Sequence, residues 1–173
     1  GGRQAARYFH KMGHRKIAFL PYAQPLRGNG YGQTTQEIVY EEMVEEFRAL
    51  GGNVATSVFD RLIDGESMDT VIKEEYRNCG FTGVLVAYDN IWVNKAAPIF
   101  REMGLRIPDD ISAIGFNDTP WCESAEPRLS SFSIHEKQIG KIAVQMLYDE
   151  ISVKEIILNP ELIERDSVKN LNL

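Results

Sequence analysis

Two short apolar runs constrain this chain more than any other feature: residues 84–87 (VLVA) and 111–116 (ISAIGF). Each is bounded by turn or polar residues and is too short for an ordinary helix, so each reads as a buried strand of a parallel sheet. Between them, residues 91–103 place Ile91, Ala96, Ile99, Phe100 and Met103 near helical spacing. Asp89 or Asn90 can cap this helix, Gly104 stops it, and Pro108 follows. Strand, helix and strand over this length make a right-handed crossover. Both strands run out into polar residues, Tyr88, Asp89 and Asn90 after the first, Asn117 and Asp118 after the second. Ligands of open parallel sheets sit at the carboxyl ends of strands. Tyr88, Asp89, Asn117 and Asp118 are therefore the first binding-site candidates, although Asp89 and Asp118 could instead serve only as caps of helices or turns.

The rest of the chain alternates in the same way. Residues 3–12 predict a helix with Ala5, Ala6, Tyr8, Phe9 and Met12 on its apolar side and Gly13 at its end. A strand follows at 17–20, then an irregular Gly- and Pro-rich stretch at 21–32. Gly28, Gly30 and Gly32 lack the Lys and Ser or Thr of a phosphate loop, so this stretch reads as a surface loop, with a lid over a ligand as a further option. Thr34 or Thr35 caps a helix running to Leu50, whose apolar face uses Ile38, Val39, Met43, Val44, Phe47 and Leu50. The alternation of Val54, Thr56 and Val58 predicts a strand over 53–59, and 67–79 predicts a helix. A loop with Trp121 occupies 119–128, a strand 129–134, a helix 136–151, and short strands 156–158 and 162–163 close the chain. The order is that of an α/β protein with a parallel sheet between two helical layers.

Charge and composition exclude several classes. Nineteen basic against twenty-five acidic residues give a net charge of −6, with no basic cluster of the kind that grips phosphates, so these residues are not expected to bind DNA themselves. No apolar run approaches membrane-spanning length. Cys79 and Cys122 have no metal or redox spacing and fit reduced thiols in a cytoplasm. His14 has no second ligand nearby in sequence and reads as a packed turn residue. Asp109-Asp110, or Asp118 with Glu123, offers acid–base pairs but no nucleophile–base–orienter set, so neither catalysis nor a cofactor or metal is expected.

The run GLRIPDDISAIGFND (104–118), followed by PRLSS (127–131), resembles the LacI/GalR (lactose-repressor/galactose-repressor) family. AARYFHKMGHRKIAFL (5–20) and LIERDS (162–167) resemble two further stretches of that family, in order and at matching spacings. The resemblance implies a three-layer αβα fold of the type I periplasmic-binding-protein kind, with an effector held between two subdomains. It places the last helix of the first subdomain at 1–13, the second subdomain at 14–131 and a returning segment at 132–173. An incomplete first subdomain would leave helices 3–12 and 136–151 with bare apolar faces, so the chain is expected to be part of a longer protein. It further implies a small-molecule effector such as a sugar, a cytoplasmic homodimer, and DNA binding through a headpiece outside these residues. Asn117 stands at the family's effector-contacting Asp. The family's effector-gripping Arg falls at Val39, so Gln36 and Arg27 are the candidates to reach the same space, and Ile134 replaces a customary polar residue. Trp92 and Trp121 are the interface candidates. A periplasmic sugar receptor of the same fold is the alternative.

Overall fold

The computed structural model describes residues 1–22, 34–148 and 156–173. In chain order the elements are α1 (Gly2–Lys11), β1 (Lys16–Leu20), α2 (Thr35–Ala49), β2 (Asn53–Val54), α3 (Thr56–Ile63), α4 (Met68–Cys79), β3 (Gly83–Val86), α5 (Asp89–Ile91), α6 (Ala97–Glu102), β4 (Ser112–Phe116), α7 (Trp121–Ser124), β5 (Ser130–Ser133), α8 (Glu136–Tyr148) and β6 (Glu161–Ile163). The strands form one sheet in the order β2-β1-β3-β4-β5-β6. The first five pair in parallel and β6 is antiparallel to β5. Leu20 lies opposite Val86 and Gly115 opposite Ser131. The carboxyl ends of β1, β3, β4 and β5 therefore open on one side of the molecule.

Alternation along the central strands sends side chains into two cores. Ile17, Phe19, Leu85, Ile114 and Phe132 meet Ala5, Ala6 and Phe9 of α1 and Met43 and Phe47 of α2 on one face. Ala18, Leu20, Val84, Val86 and Ala113 meet Val71 and Ile72 of α4, with Trp92 and Phe100, on the other. A strand buried on both faces needs apolar residues at every position, which is why 84–87 and 111–116 are near-continuous apolar runs.

Four expectations change. Only Asn53 and Val54 of the 53–59 segment form a strand, and α3 follows. Val58, Phe59, Leu62 and Ile63 repeat at helical spacing and are all buried, so a two-core helical pattern overrides the shorter alternation before it. Residues 156–158 are not a strand, and Ile157 is 77% exposed. The 91–103 helix starts at Asp89 and contains a π-helical turn, Trp92–Ala96, between α5 and α6. Pro98 cannot donate to the carbonyl four residues back, and the wide turn lies directly before it.

The fourth change concerns α1, whose apolar face is covered rather than bare. Gly2 lets α1 and α2 approach so closely that a Cβ there would sit 2.1 Å from the Val39 carbonyl oxygen. Arg3–Glu45 at 2.7 Å and Arg7–Glu46 at 2.8 Å lace the rim of the contact; as exposed pairs they contribute little beside the buried Phe9 and Phe47. Helix α8 does match its expectation. It buries no residue, and Leu147 and Tyr148 are 82% and 84% exposed.

His14 seals the amino end of this sheet. It is buried, with Nδ1 2.8 Å from Thr82 Oγ1 and Nε2 3.2 Å from the Lys169 carbonyl. A carbonyl only accepts, so Nε2 carries the proton and the Thr82 hydroxyl donates to Nδ1. Burial lowers its pKa from the ordinary 6.5 to about 4. The unfolded chain therefore binds a proton between these values that the folded chain refuses, and stability falls as pH falls through that window. Urea unfolding is expected to lose roughly 3 kcal/mol from this group between pH 6.5 and 4. A His14→Asn variant should show a flatter profile over the same window.

Candidate functional site

Strand β3 delivers Ala87, Tyr88 and Asp89 to the carboxyl edge of the sheet, and β4 delivers Asn117 and Asp118 beside them. Asp89 is 1% exposed. Its Oδ2 accepts from the Thr119 backbone N–H at 2.8 Å and the Thr119 hydroxyl at 2.9 Å, and its Oδ1 accepts from Ser131 Oγ at 2.7 Å. The Ser131 hydroxyl in turn accepts from the Asp118 N–H at 3.1 Å. Three charge-assisted bonds satisfy the buried carboxylate, and through them one side chain ties together the ends of β3, β4 and β5. The carboxylate passes directly over Gly115, where a Cβ would lie 2.1 Å from Oδ1. Asp89 is thus a buried strut, and the N-cap of α5 is Tyr88, which makes no side-chain capping bond. Beneath it, burial first and then the Asp89 charge push the Cys122 thiol up to about 12, leaving it neutral and unreactive.

With the turn so held, Asn117 and Asp118 both take left-handed backbone, with φ of 92° and 50°. Asn and Asp are the non-glycine residues that tolerate this region best. The Asn117 N–H remains bonded to the Phe132 carbonyl at 2.8 Å. Asn117 then borders two hollows. One, of about 70 Å³, is lined by Phe19, Gln36, Val39, Tyr88 and Phe116 with Asn117. The other, shallower and of about 410 Å³, is lined by Asn117, Asp118, Ser133, His135 and Lys137 among others.

The structure brings Gln36, Tyr88 and Asn117 together from three separate segments. The start of α2 is set by a reciprocal cap between Thr34 and Glu37. Gln36 Oε1 accepts from the Tyr22 N–H at 2.9 Å and Nε2 donates to the Tyr22 carbonyl at 3.3 Å. That clasp places the Tyr22 ring edge-to-face with Tyr88 at 5.7 Å, so two half-exposed aromatic rings and two amides face the same space. Val39 lines it too. Asp118 borders the larger hollow and pairs with Arg165 at 2.8 Å. Arg27 lies outside the described residues. Trp92 is 1% exposed and packs 5.8 Å from the Phe100 ring, so it is a core residue rather than a surface contact. Trp121 is 46% exposed.

Sequence reading missed Thr119 and Ser131, the donors to Asp89, and gave Arg165 no role. A hydroxyl residue in a loop or within a strand carries no signal until the partner carboxylate is known to be buried. Among the described residues no group of His, Cys, Asp and Glu could hold a metal ion. Because Gly115 leaves no room beneath the strut, Gly115→Ala is expected to cost about 2 kcal/mol in urea unfolding. The same change at Gly51, where a Cβ meets nothing within 4 Å but φ is +83°, separates steric overlap from backbone strain.

Comparison with known proteins bears on the fold and the family. The family model of the periplasmic binding protein-like domain matches residues 6–168. The chain is 28% identical over 185 residues to the HTH-type transcriptional repressor PurR of Vibrio atlanticus. It is 27% identical over 177 residues to the probable HTH-type transcriptional repressor ExuR of Bacillus subtilis. In each case 99% of the chain is covered but 51% of the relative, so the chain spans about half the length of these curated proteins. Among solved structures, a transcription regulator from Lactobacillus plantarum superposes with a TM-score of 0.75 at 19% identity, over 98% of this chain and 65% of that one. The LacI family regulator CCPA from Weissella paramesenteroides, with bound sucrose, superposes with a TM-score of 0.73 at 21% identity, over 99% and 62%. The chain belongs to the periplasmic binding protein-like domain family.

Proposed function

We propose that this chain is the effector-sensing region of a LacI/GalR-type repressor, and that its effector is a sugar or a similar small polar molecule bound over the carboxyl ends of β1, β3 and β4. The observation that carries the reading is the convergence of Gln36, Tyr88 and Asn117 on one hollow. Amides offer paired donors and acceptors for hydroxyl groups, and aromatic rings offer an apolar face for the carbon side of a sugar. The sucrose-bound regulator of similar fold supports the same ligand class. Asp118 lines the adjoining hollow beside Asn117, and Arg27, outside the described residues, is retained as a candidate. Residues 14–131 form this half of the cleft, with 1–13 and 132–173 linking to the other.

In this reading the effector is gripped between two lobes and favours one closure of them. It shifts DNA binding by a separate headpiece only as far as its affinities for the two closures differ. The regulator acts as a cytoplasmic homodimer, with the exposed Trp121 turn on the subunit surface. No helix among the described residues is long and apolar enough to cross a membrane. The alternative, an exported sugar receptor, gains no support from relatives that are themselves repressors.

Replacing Asn117 tests the site. Because its φ is 92°, Asn117→Gly removes the amide without forcing a Cβ into left-handed backbone. A bound sugar at about a hundred times its Kd should raise the unfolding free energy of the full-length protein by about 2.7 kcal/mol. Asn117→Gly should abolish that gain while leaving the unliganded protein folded. A panel of neutral mono- and disaccharides, sucrose and glucose included, supplies the probes. Equal stabilisation of both proteins removes Asn117 from the site, and none in either counts against a sugar effector.

A further inference from the structure

Asp118 reaches in two directions. Its carboxylate borders the larger hollow, and its Oδ1 lies 2.8 Å from Arg165 Nη2. Arg165 is held on every side. Its Nη1 donates to the Leu129 carbonyl at 3.0 Å, its Nε pairs with Glu123 at 2.7 Å, and its backbone N–H donates to Ser130 Oγ at 2.9 Å. The Arg165 side chain is 10% exposed and that of Asp118 23%. Their interaction is therefore screened much less than a surface pair. Glu123 belongs to α7, the four-residue turn that also carries the exposed Trp121, and it lies 3.7 Å from Arg128. No hydrogen bond or ion pair joins Asp118 to Glu123 directly among the described residues; the guanidinium is the element they share.

We propose that Arg165 is a positioning residue that passes the state of Asp118 in the cleft to the α7 turn on the outer surface. The Arg165 guanidinium meets two carboxylates from one position. It donates a hydrogen bond to Glu123 and forms an ion pair with Asp118, whose buried Oδ1 accepts no hydrogen bond. What one partner takes alters what the other receives. A ligand hydroxyl engaging the Asp118 carboxylate weakens its hold on Arg165. The guanidinium then settles toward Glu123, and the turn bearing Trp121 shifts with it. The two-residue left-handed turn at 117–118 is anchored independently through Ser131 and Asp89, so the carboxylate can exchange partners without releasing the backbone. The inference rests on the cleft reading of Asp118, but its test requires no ligand.

Trp121 supplies the readout, since the chain's other tryptophan, Trp92, is buried. Acrylamide quenching of the full chain is to be measured in the parent, Asp118→Asn, Glu123→Gln and the double variant, with near-UV circular dichroism confirming a native fold. Asp118→Asn keeps the shape of the side chain and removes its charge. It should change the quenching constant of Trp121 roughly twofold, as coupling through one shared partner can do. In the Glu123→Gln background the same substitution should change it no further. Arg165→Lys, which retains charge but cannot bridge both carboxylates, should reproduce the double variant. Additive effects of the two carboxylate substitutions, or no response of Trp121 to Asp118→Asn, overturn the relay. Neither outcome bears on whether a sugar binds, which the Asn117→Gly titration decides separately.

Discussion

One buried carboxylate organises the working end of this molecule. Asp89 stands where β3 ends, and its two oxygens take hydrogen bonds from the loop after β4 and from a hydroxyl on β5. Parallel strands have no tight turns to fix the relative positions of their ends, because each connection leaves through a helix. A charged acceptor below the surface fills that gap. It costs desolvation, which its three donors offset, and it requires a glycine at the one strand position its oxygen crosses. The left-handed turn at Asn117 and Asp118, and hence the direction of their side chains, follows from that tie.

The remaining features divide into what holds the sheet and what lines the hollow at its carboxyl edge. Two apolar layers, one built on Phe9, Phe19 and Phe47 and the other on Trp92, Phe100 and Phe81, make the strands a rigid platform. Over it lie groups drawn from loops and helix starts, Gln36 with Tyr22, Tyr88 and Asn117. Val39 occupies the place where the resemblance calls for an arginine, so this wall of the hollow is apolar where a cation would otherwise stand. The amide of Gln36 is held by a backbone rather than projecting freely. Affinity for a hydroxylated ligand would then come from amides and aromatic faces, consistent with a neutral partner more than an anionic one.

Most of the sheet was legible from the sequence, because a strand buried on both faces must be apolar at nearly every position, and β3 is, as is β4 beyond its first residue, Ser112. The capped start of α2 was legible for a similarly local reason: Thr34 and Glu37 stand three apart, ahead of an apolar face. The misread strand at 53–59 shows the limit. Three alternating residues fit either period, and only burial on both sides of Phe59 and Leu62 decides between them. The candidate site's geometry was half legible. Strand-end position pointed to Tyr88 and Asn117, but it could not tell that Asp89, one residue further, turns inward. That depends on Thr119 and Ser131, 30 and 42 residues away in sequence, and on the empty space over Gly115. Trp92 was misassigned for the same reason, since an aromatic residue on a helix declares its size and not its direction.

Hydrogen exchange at the backbone amides of Asp118 and Thr119 tests most directly whether Asp89 holds the strand ends. Both sit in a loop, where amides ordinarily exchange fast, yet one donates to Ser131 and the other to the buried carboxylate. The account predicts protection of the same class as the amides of β3 and β4, and its loss in Asp89→Ala while the central strands stay protected. Exchange at the rate of an open loop in the parent protein would contradict it.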